Sequence, residues 1–449
     1  MSDQPHTLAH LGWLGIVRLG LVQTALGSIV VLTTSTLNRV MMVELALPAA
    51  LPAALVAWHY AVQLSRPRWG HGSDGGARRT PWIIGGMGVL ALGGILAADA
   101  TALMSGSPVV GILLAILAFT MIGAGVGASG TSLLALLATR VTPTRRPAAA
   151  AITWIMMVMG IAATAGIAGG QLDPFSMQRL AMVSGAVSLG AFLLTLAAVA
   201  GVERTAAVVT EPAEPKTDFR VALRETLADP QARRFTLFVL ISMIAYSAQD
   251  LILEPFAGLV FGMTPGQSTQ MSGMQHGGVL LGMILVGAAG GFVGARGQGW
   301  MRGWTLAGCG GSALSLAALV VAAQVGPGWP IAPTVFALGF FNGVFAVAAI
   351  GSMMALAGQG RGANGGRREG IRMGVWGAAQ AVGFGTGGFF GAVAVDIGRR
   401  LFGEDATAFG LVFALEATLF IVSAVIAVRI GAPAATSQPQ PIGARHVQA

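Results

Sequence analysis

ERTAAVVTEPAEPKTDFRVALRETLADPQARR, Glu203–Arg234, is the longest polar run in a chain of 449 residues, and it holds Lys216, the only lysine. It reads as a linker: two Pro within Glu-Pro-Ala-Glu-Pro-Lys216, then the amphipathic stretch FRVALRETL. On both sides the chain turns apolar. Hydrophobic residues make up 54% of the whole and charged residues only 10%, against about 25% charged in a soluble domain. Mean hydropathy is +0.74. So few charges cannot cover a water-facing surface, which excludes a soluble enzyme, a disordered chain and a nucleic-acid binder. A polytopic α-helical membrane protein remains.

Apolar runs of about 20 residues, the length that crosses the hydrocarbon core, flank the linker evenly. Six precede it, at 19–38, 43–63, 82–104, 108–137, 148–170 and 178–202. Six follow it, at 235–259, 276–295, 303–325, 331–357, 372–395 and 406–429. The expected organisation is a cytoplasmic N-terminal segment (1–18), a six-helix bundle (19–202), the linker (203–234), a second six-helix bundle (235–429) and a disordered Pro/Ser/Gln-rich tail (430–449). Each run is expected to be helical, because a strand edge in lipid leaves backbone groups unsatisfied. With the N-terminus in the cytoplasm, 22 of the 26 Lys and Arg fall on that side; Arg39, Arg179, Arg399 and Arg400 are the exceptions. That asymmetry predicts both termini inside, and it accounts for a net charge of +8. The opening segment lacks the pattern of a signal peptide, so no cleaved leader is expected. The single Cys309 excludes a disulfide framework.

A faint repeat links the halves, as in transporters built from parallel repeats. The first span ends Asn38-Arg39-Val-Met-Met-Val-Glu44, and the seventh ends Gln249-Asp250-Leu-Ile-Leu-Glu254-Pro255. Either these are two unrelated helix ends with interfacial charges, or Arg39 faces Asp250 across the bundle interface and the four charged residues latch the outer side. Between the second and third spans lies Gly70-His-Gly-Ser-Asp74-Gly-Gly-Ala-Arg78-Arg79. This loop resembles the signature of the major facilitator superfamily, in which Asp74 would cap a helix start and accept from an arginine; Ala77 replaces the later Gly. An ordinary basic turn is the alternative.

Longer strings carry a more specific resemblance. RLGLVQTALG (18–27), LTTSTLNRVMMVEL (32–45), RPRWGHGSD (66–74), RRTPWIIGG (78–86), SGTSLLALLATRV (129–141), AAITWIMMVMGIA (150–162) and ILEPFAG (252–258) resemble the PucC family, a branch of that superfamily from phototrophic bacteria. The resemblance spans about 11–430. It implies twelve transmembrane helices in two bundles in a bacterial inner membrane, and a role in assembling light-harvesting complexes. It further implies bacteriochlorophyll as cargo, with antenna polypeptides and bacteriochlorophyll synthase as partners. The alternatives are a transporter of a tetrapyrrole or another lipophilic molecule, and an accessory subunit of bacteriochlorophyll synthesis, a label one subgroup carries.

Chemistry in the residues is sparse. There is no phosphate-cradling loop, no Asp-x-x-x-Asp pair for Mg-diphosphate and no His-Glu zinc motif, so an enzyme is not expected. The glycines of 123–130 have helix-packing spacing. Ionisable residues within the spans reduce to His59, Asp250, Glu254 and Glu416, with Asp99 and Asp396 read as interfacial. A charge at the bilayer centre costs at least ~2.5 kcal/mol, so Glu416 needs a partner, a proton or an aqueous cavity. Pigment magnesium takes an imidazole as axial ligand. His59, beside Trp58 and Tyr60, is either that ligand or part of an aromatic belt; His276 is expected at a span edge, facing solvent. The glycine-dense eleventh span, Gly374 to Gly391, is either a close-packed seam or a pigment-facing wall.

Overall fold

The computed structural model describes residues 11–66, 69, 78–142, 145–203, 228–292, 298–358 and 369–430. Gly70 and Asp74 of the loop motif, most of the linker and the C-terminal tail lie outside these residues. The described residues form twelve long helices and no strand. They are α1 (Trp13–Glu44), α2 (Ala50–Gln63), α3 (Thr80–Met104), α4 (Pro108–Arg140), α5 (Arg146–Leu172) and α6 (Met177–Val199) in the first half. In the second half come α7 (Pro230–Phe261), α8 (Pro265–Phe292), α9 (Gln298–Val325), α10 (Ile331–Gly358), α11 (Glu369–Phe402) and α12 (Asp405–Ile430). Proline in the first turn starts α3, α4, α5 and α7, where its missing N–H costs nothing. Asp229 caps α7 by accepting from the Gln231 N–H, and Ser176 caps α6 in the same way through Arg179.

Among the described residues, eleven helices are long and apolar enough to cross a bilayer; α2, at 14 residues, is the exception. The surface is turned inside out relative to a soluble protein. Leu14, Val109 and Leu314 are more than 70% exposed, whereas Arg39, Glu254 and Glu416 are at most 2% exposed. Leucine faces lipid and charge faces protein, as expected for a multi-pass membrane protein.

Helix pairing repeats with an offset of six. In the first half α1 packs on α5 and α6, α2 on α4, and α3 on α4 and α6. In the second half α7 packs on α11 and α12, α8 on α10, and α9 on α10 and α12. The halves join through α5 on α8 and α2 on α11, contacts that also exchange under the same offset, and through α1 on α7. Below, the distal end is the one holding the α1–α2 turn, and the linker end is where α6 stops and α7 starts.

The largest boundary differences from the sequence expectation fall at α1, α2, α8 and α11, which runs on from 395 to Phe402. Helix α1 begins at Trp13 rather than 19, and half-buried Arg18 is held at its edge: its guanidinium donates to the carbonyl of Ala200 at 2.7 Å, at the end of α6. Cationic side chains suit such C-terminal carbonyls. Helix α1 also continues to Glu44, so α2 starts only after Pro48. Helix α8 begins at Pro265, not 276, which puts His276 well inside a helix.

The glycines of α11 resolve as a seam. A methyl on Gly387 would lie 2.5 Å from the Ile244 carbonyl oxygen, and one on Gly391 would lie 2.8 Å from Ala248, so α11 lies directly on α7. The α8–α10 contact is tighter still, since a methyl on Gly339 would overlap the carbonyl oxygen of Gln275. Such approach supplies the dispersion contact that lipid cannot withhold.

Candidate functional site

The candidate site is the surface where the halves meet. On its N-terminal side, Leu32–Thr36 and Val40–Glu44 wind as π-turns within α1. A π-turn places residues five apart on one face, and five is the separation of Arg39 and Glu44. Their side chains form an ion pair, with Arg39 buried and Glu44 about one-third exposed. The Arg39 Nη2 crosses to the other half and donates to the Met263 carbonyl at 2.6 Å. The guanidinium lies over Gly258, where a side chain would displace it.

On the C-terminal side, Tyr246, Asp250 and Glu254 follow at intervals of four and share one face of α7. Asp250 Oδ1 accepts from the Gln275 amide at 3.4 Å. Glu254 Oε2 accepts from Ser268 at 3.4 Å and Thr269 at 3.2 Å. Thr36 and Thr269 share a hydrogen bond of 3.0 Å across the halves, and the Asn38 amide donates to the Leu251 carbonyl. Arg39 and Asp250 are thus both interior, but they do not pair with each other. Arg39 finds its acid on its own helix, because the π-turn delivers Glu44 to it.

Other contacts tie the distal end together. Asp396, near the end of α11, accepts from the backbone N–H of Ala49 at 2.9 Å and of Ala50 at 2.8 Å, capping α2 from the opposite half. The Thr264 hydroxyl donates to Asp173 at 3.0 Å. Asp396 therefore does more than sit at an interface, whereas Asp99 is exposed.

Deeper in, the chain's only two tyrosines flank Phe384. Ring centroids lie 5.8 Å apart for Tyr60–Phe384 and 5.7 Å for Tyr246–Phe384. All three rings are half-buried, and they come from α2, α7 and α11. Gly385 lies against the Tyr60 Cβ at 3.5 Å. The rarity of tyrosine was the one available signal for this group, and it went unused.

His59 is buried and engaged at both ring nitrogens. Nδ1 faces the Val56 carbonyl at 3.3 Å, and Nε2 faces the Gln63 amide at 2.8 Å; Gln63 in turn accepts from Arg66. An axial-ligand role for His59 would require Gln63 to move. His276 is half-buried, and its Nδ1 faces the Ser272 carbonyl at 2.9 Å, which makes Nε2 the lone-pair nitrogen of the neutral ring. Glu416 is buried midway along α12, and neither oxygen has a protein hydrogen-bond partner.

At the linker end Arg78 is exposed, and Arg79 leads into α3. The Glu203 carboxylate accepts from the backbone N–H of Arg79 at 2.9 Å and of Thr80 at 2.7 Å. Burial alone would raise this carboxyl's pKa. The nearby Thr80 hydroxyl, the two N–H bonds and the charge of Arg140 outweigh it and hold the group below the ordinary glutamate range. Sequence reading missed Glu203 because it lies more than 120 residues from the helix it caps.

This architecture defines a class, the twelve-helix fold of solved membrane transporters. The fold matches the nucleoside transporter NupG with a TM-score of 0.67 at 12% identity, covering 93% of this chain and 100% of that one. It matches a bacterial homologue of the human lysosomal transporter Spinster at 0.63 and 15% identity, covering 93% and 94%. Within that class, residues 36–435 match the family described as PUCC protein, and the chain belongs to the PucC family. It is 56% identical over 419 residues to the "Bacteriochlorophyll synthase 44.5 kDa chain" of Rhodobacter capsulatus, covering 93% of this chain and 95% of that one. It is 29% identical to Protein PucC of the same organism, covering 92% and 91%.

Proposed function

We propose that this protein takes up bacteriochlorophyll within the membrane and passes it to nascent light-harvesting antenna polypeptides, without catalysing a reaction. The observation that carries this reading is the Tyr60–Phe384–Tyr246 group, half-buried where the two halves meet. A flat conjugated macrocycle stacks on such rings. Membership in a family related to light-harvesting assembly factors supports the destination of the cargo. Of the two imidazoles, His276 is better disposed than His59 to offer Nε2 to the pigment's magnesium. The linker end and both termini lie in the cytoplasm of a bacterial inner membrane, on the strength of the arginine asymmetry.

Purification in mild detergent from a bacteriochlorophyll-producing host tests this. The expected result is a pigment absorption band and co-purified antenna subunits, both reduced in Phe384→Ala, with the pigment band shifted in His276→Leu. A colourless preparation with no antenna polypeptide overturns it. Two other readings have their own support. The carrier fold favours transport of a tetrapyrrole or other lipophilic molecule, which substrate-dependent flux in liposomes would establish. The name of the relative at 56% identity favours an accessory subunit working with bacteriochlorophyll synthase. Accumulated pigment precursors with stable antenna polypeptides in a deletion strain would establish that. A label on the linker that reacts from the periplasm would overturn the orientation.

A further inference from the structure

An apolar groove lies between α3 and α4 at the linker end, on helices that pack within the first half. It holds about 330 Å³, where ~150 Å³ of apolar space already takes a benzene molecule. Its floor is the close approach of the two helices. A methyl on Gly86 would lie 2.6 Å from the Ser129 nitrogen, and one on Gly125 would lie 2.6 Å from the Gly86 carbonyl oxygen. One wall is the face of α3 that carries Pro81, Gly85 and Val89, all exposed and spaced by four. The other is Ala124 and Ala128 of α4. Trp69 and Trp82 close the linker end of the groove, with ring centroids 6.4 Å apart. Trp69 is fixed there, since its Nε1 donates to the Ser65 hydroxyl at 2.9 Å.

The depth fits one leaflet. Val89 lies about 12 Å along α3 from Pro81 at 1.5 Å per residue, and half of a ~30 Å hydrocarbon core is about 15 Å. Tryptophan belongs at the headgroup level, and exposed Leu92 continues the α3 face toward the bilayer centre. A helix about 10–12 Å across would fill roughly 900 Å³ over the same length, so the space takes a hydrocarbon chain rather than a peptide helix. The mouth is basic. A methyl on Gly127 would lie 3.3 Å from the Trp69 ring and 3.5 Å from the Arg66 Cγ, which puts the stem of Arg66 beside that tryptophan. Arg66 is exposed and donates to Gln63. Arg78 is exposed one turn before Pro81. Glu203, the acid described at this end of α3, is already taken up by the backbone N–H of Arg79 and Thr80. Hydrocarbon matches the groove and an anion matches its mouth, and an anionic phospholipid carries both parts.

We propose that this groove is a binding site for one anionic phospholipid of the leaflet at the linker end. An acyl chain lies between α3 and α4 beside the two tryptophans, and Arg66 and Arg78 hold the phosphate, which suits guanidinium donors. The site is separate from the Tyr60–Phe384–Tyr246 group, so lipid occupies it whether or not cargo is bound.

Native mass spectrometry of the full-length protein tests this. The protein is made in a host without bacteriochlorophyll, stripped of lipid in detergent and titrated with phosphatidylglycerol or phosphatidylcholine. Wild type should take up one phosphatidylglycerol first and prefer it to phosphatidylcholine at least about tenfold, since each arginine at an anionic headgroup contributes about fivefold. Arg66→Gln and Arg78→Gln should each lower that preference about fivefold. A side chain at Gly85 meets nothing within 4 Å, so Gly85→Leu fills the groove without displacing a neighbour and should remove the first phosphatidylglycerol. Gly190→Leu, equally open and exposed on α6, should keep it. If Gly85→Leu does not accumulate, the arginine variants against wild type decide. No preference in wild type, a preference unmoved in either arginine variant, a first phosphatidylglycerol retained in Gly85→Leu, or its equal loss in Gly190→Leu each overturns the proposal. No pigment enters the experiment, so it stands or falls apart from pigment delivery.

Discussion

The distal ends of α1 and α7 carry the same sequence echo and solve its electrostatics in opposite ways. In α1 the amide and charge at Asn38-Arg39 are followed by Glu44 after four residues; in α7 Gln249-Asp250 are followed by Glu254 after three. The additional residue in α1 is taken up as a π-turn, which closes Arg39 onto Glu44. Helix α7 keeps α-helical spacing, and its two acids meet only neutral donors from Gln275, Ser268 and Thr269. One end is therefore neutralised by its own helix and fastened to Met263. The other holds two carboxyls by neutral donors from α8. A single inserted residue separates an ion-paired brace from a neutral hydrogen-bonded contact.

The largest test of that contrast is Glu44→Gln against Glu254→Gln. Removing Glu44 leaves the buried Arg39 guanidinium with the Met263 carbonyl alone and is expected to cost about 2–3 kcal/mol, less than a fully buried pair because Glu44 is partly exposed, whereas Glu254→Gln should change stability by about 1 kcal/mol or less. Thermal unfolding in detergent reads both, and equal costs would break the comparison. Deleting Val43 gives α1 the spacing of α7. It should lose much of the same stability, and Glu44→Gln on that background should add little, because residues acting as one unit are not additive. Asp396→Ala removes the cross-half cap on α2 and should cost about 1 kcal/mol. Hydrogen exchange would show it as roughly five- to tenfold faster exchange at the Ala49 and Ala50 amides. The smallest effect is at the linker end. The depressed Glu203 carboxyl contributes stability that is present above the ordinary glutamate pKa and is lost as pH falls through its lower folded value. Glu203→Gln should lower stability at neutral pH towards the wild-type acid value, which flattens that limb, and leave stability below the folded pKa nearly unchanged.

Much of the architecture was readable along the chain, and little of the site was. The twelve apolar runs correspond to twelve helices, and the eleventh run is a seam. Its Gly387 and Gly391 pack on α7 where pattern alone allowed an open wall. The start of α1 escaped notice because Arg18 looked like a solvent charge until the end of α6 supplied carbonyls for it. The continuation of α1 to Glu44 escaped because a π-turn has no hydropathy signature. Arg39, Glu44, Asp250 and Glu254 were picked out as charges in apolar surroundings, but their pairing was not legible. Tyr60, Tyr246 and Phe384 belong to three helices far apart in sequence.

Helix number, membrane residence and family follow from composition and order along the chain. Hydropathy adds up residue by residue over about 20 positions, and bilayer thickness turns that local sum into a span. Which acid faces which base, and which carboxyl has no partner at all, follows from packing between helices hundreds of residues apart. Coulomb and hydrogen-bond energies depend on ångström distances and on the exclusion of water. Neither quantity exists until α1, α2, α7, α11 and α12 have come together.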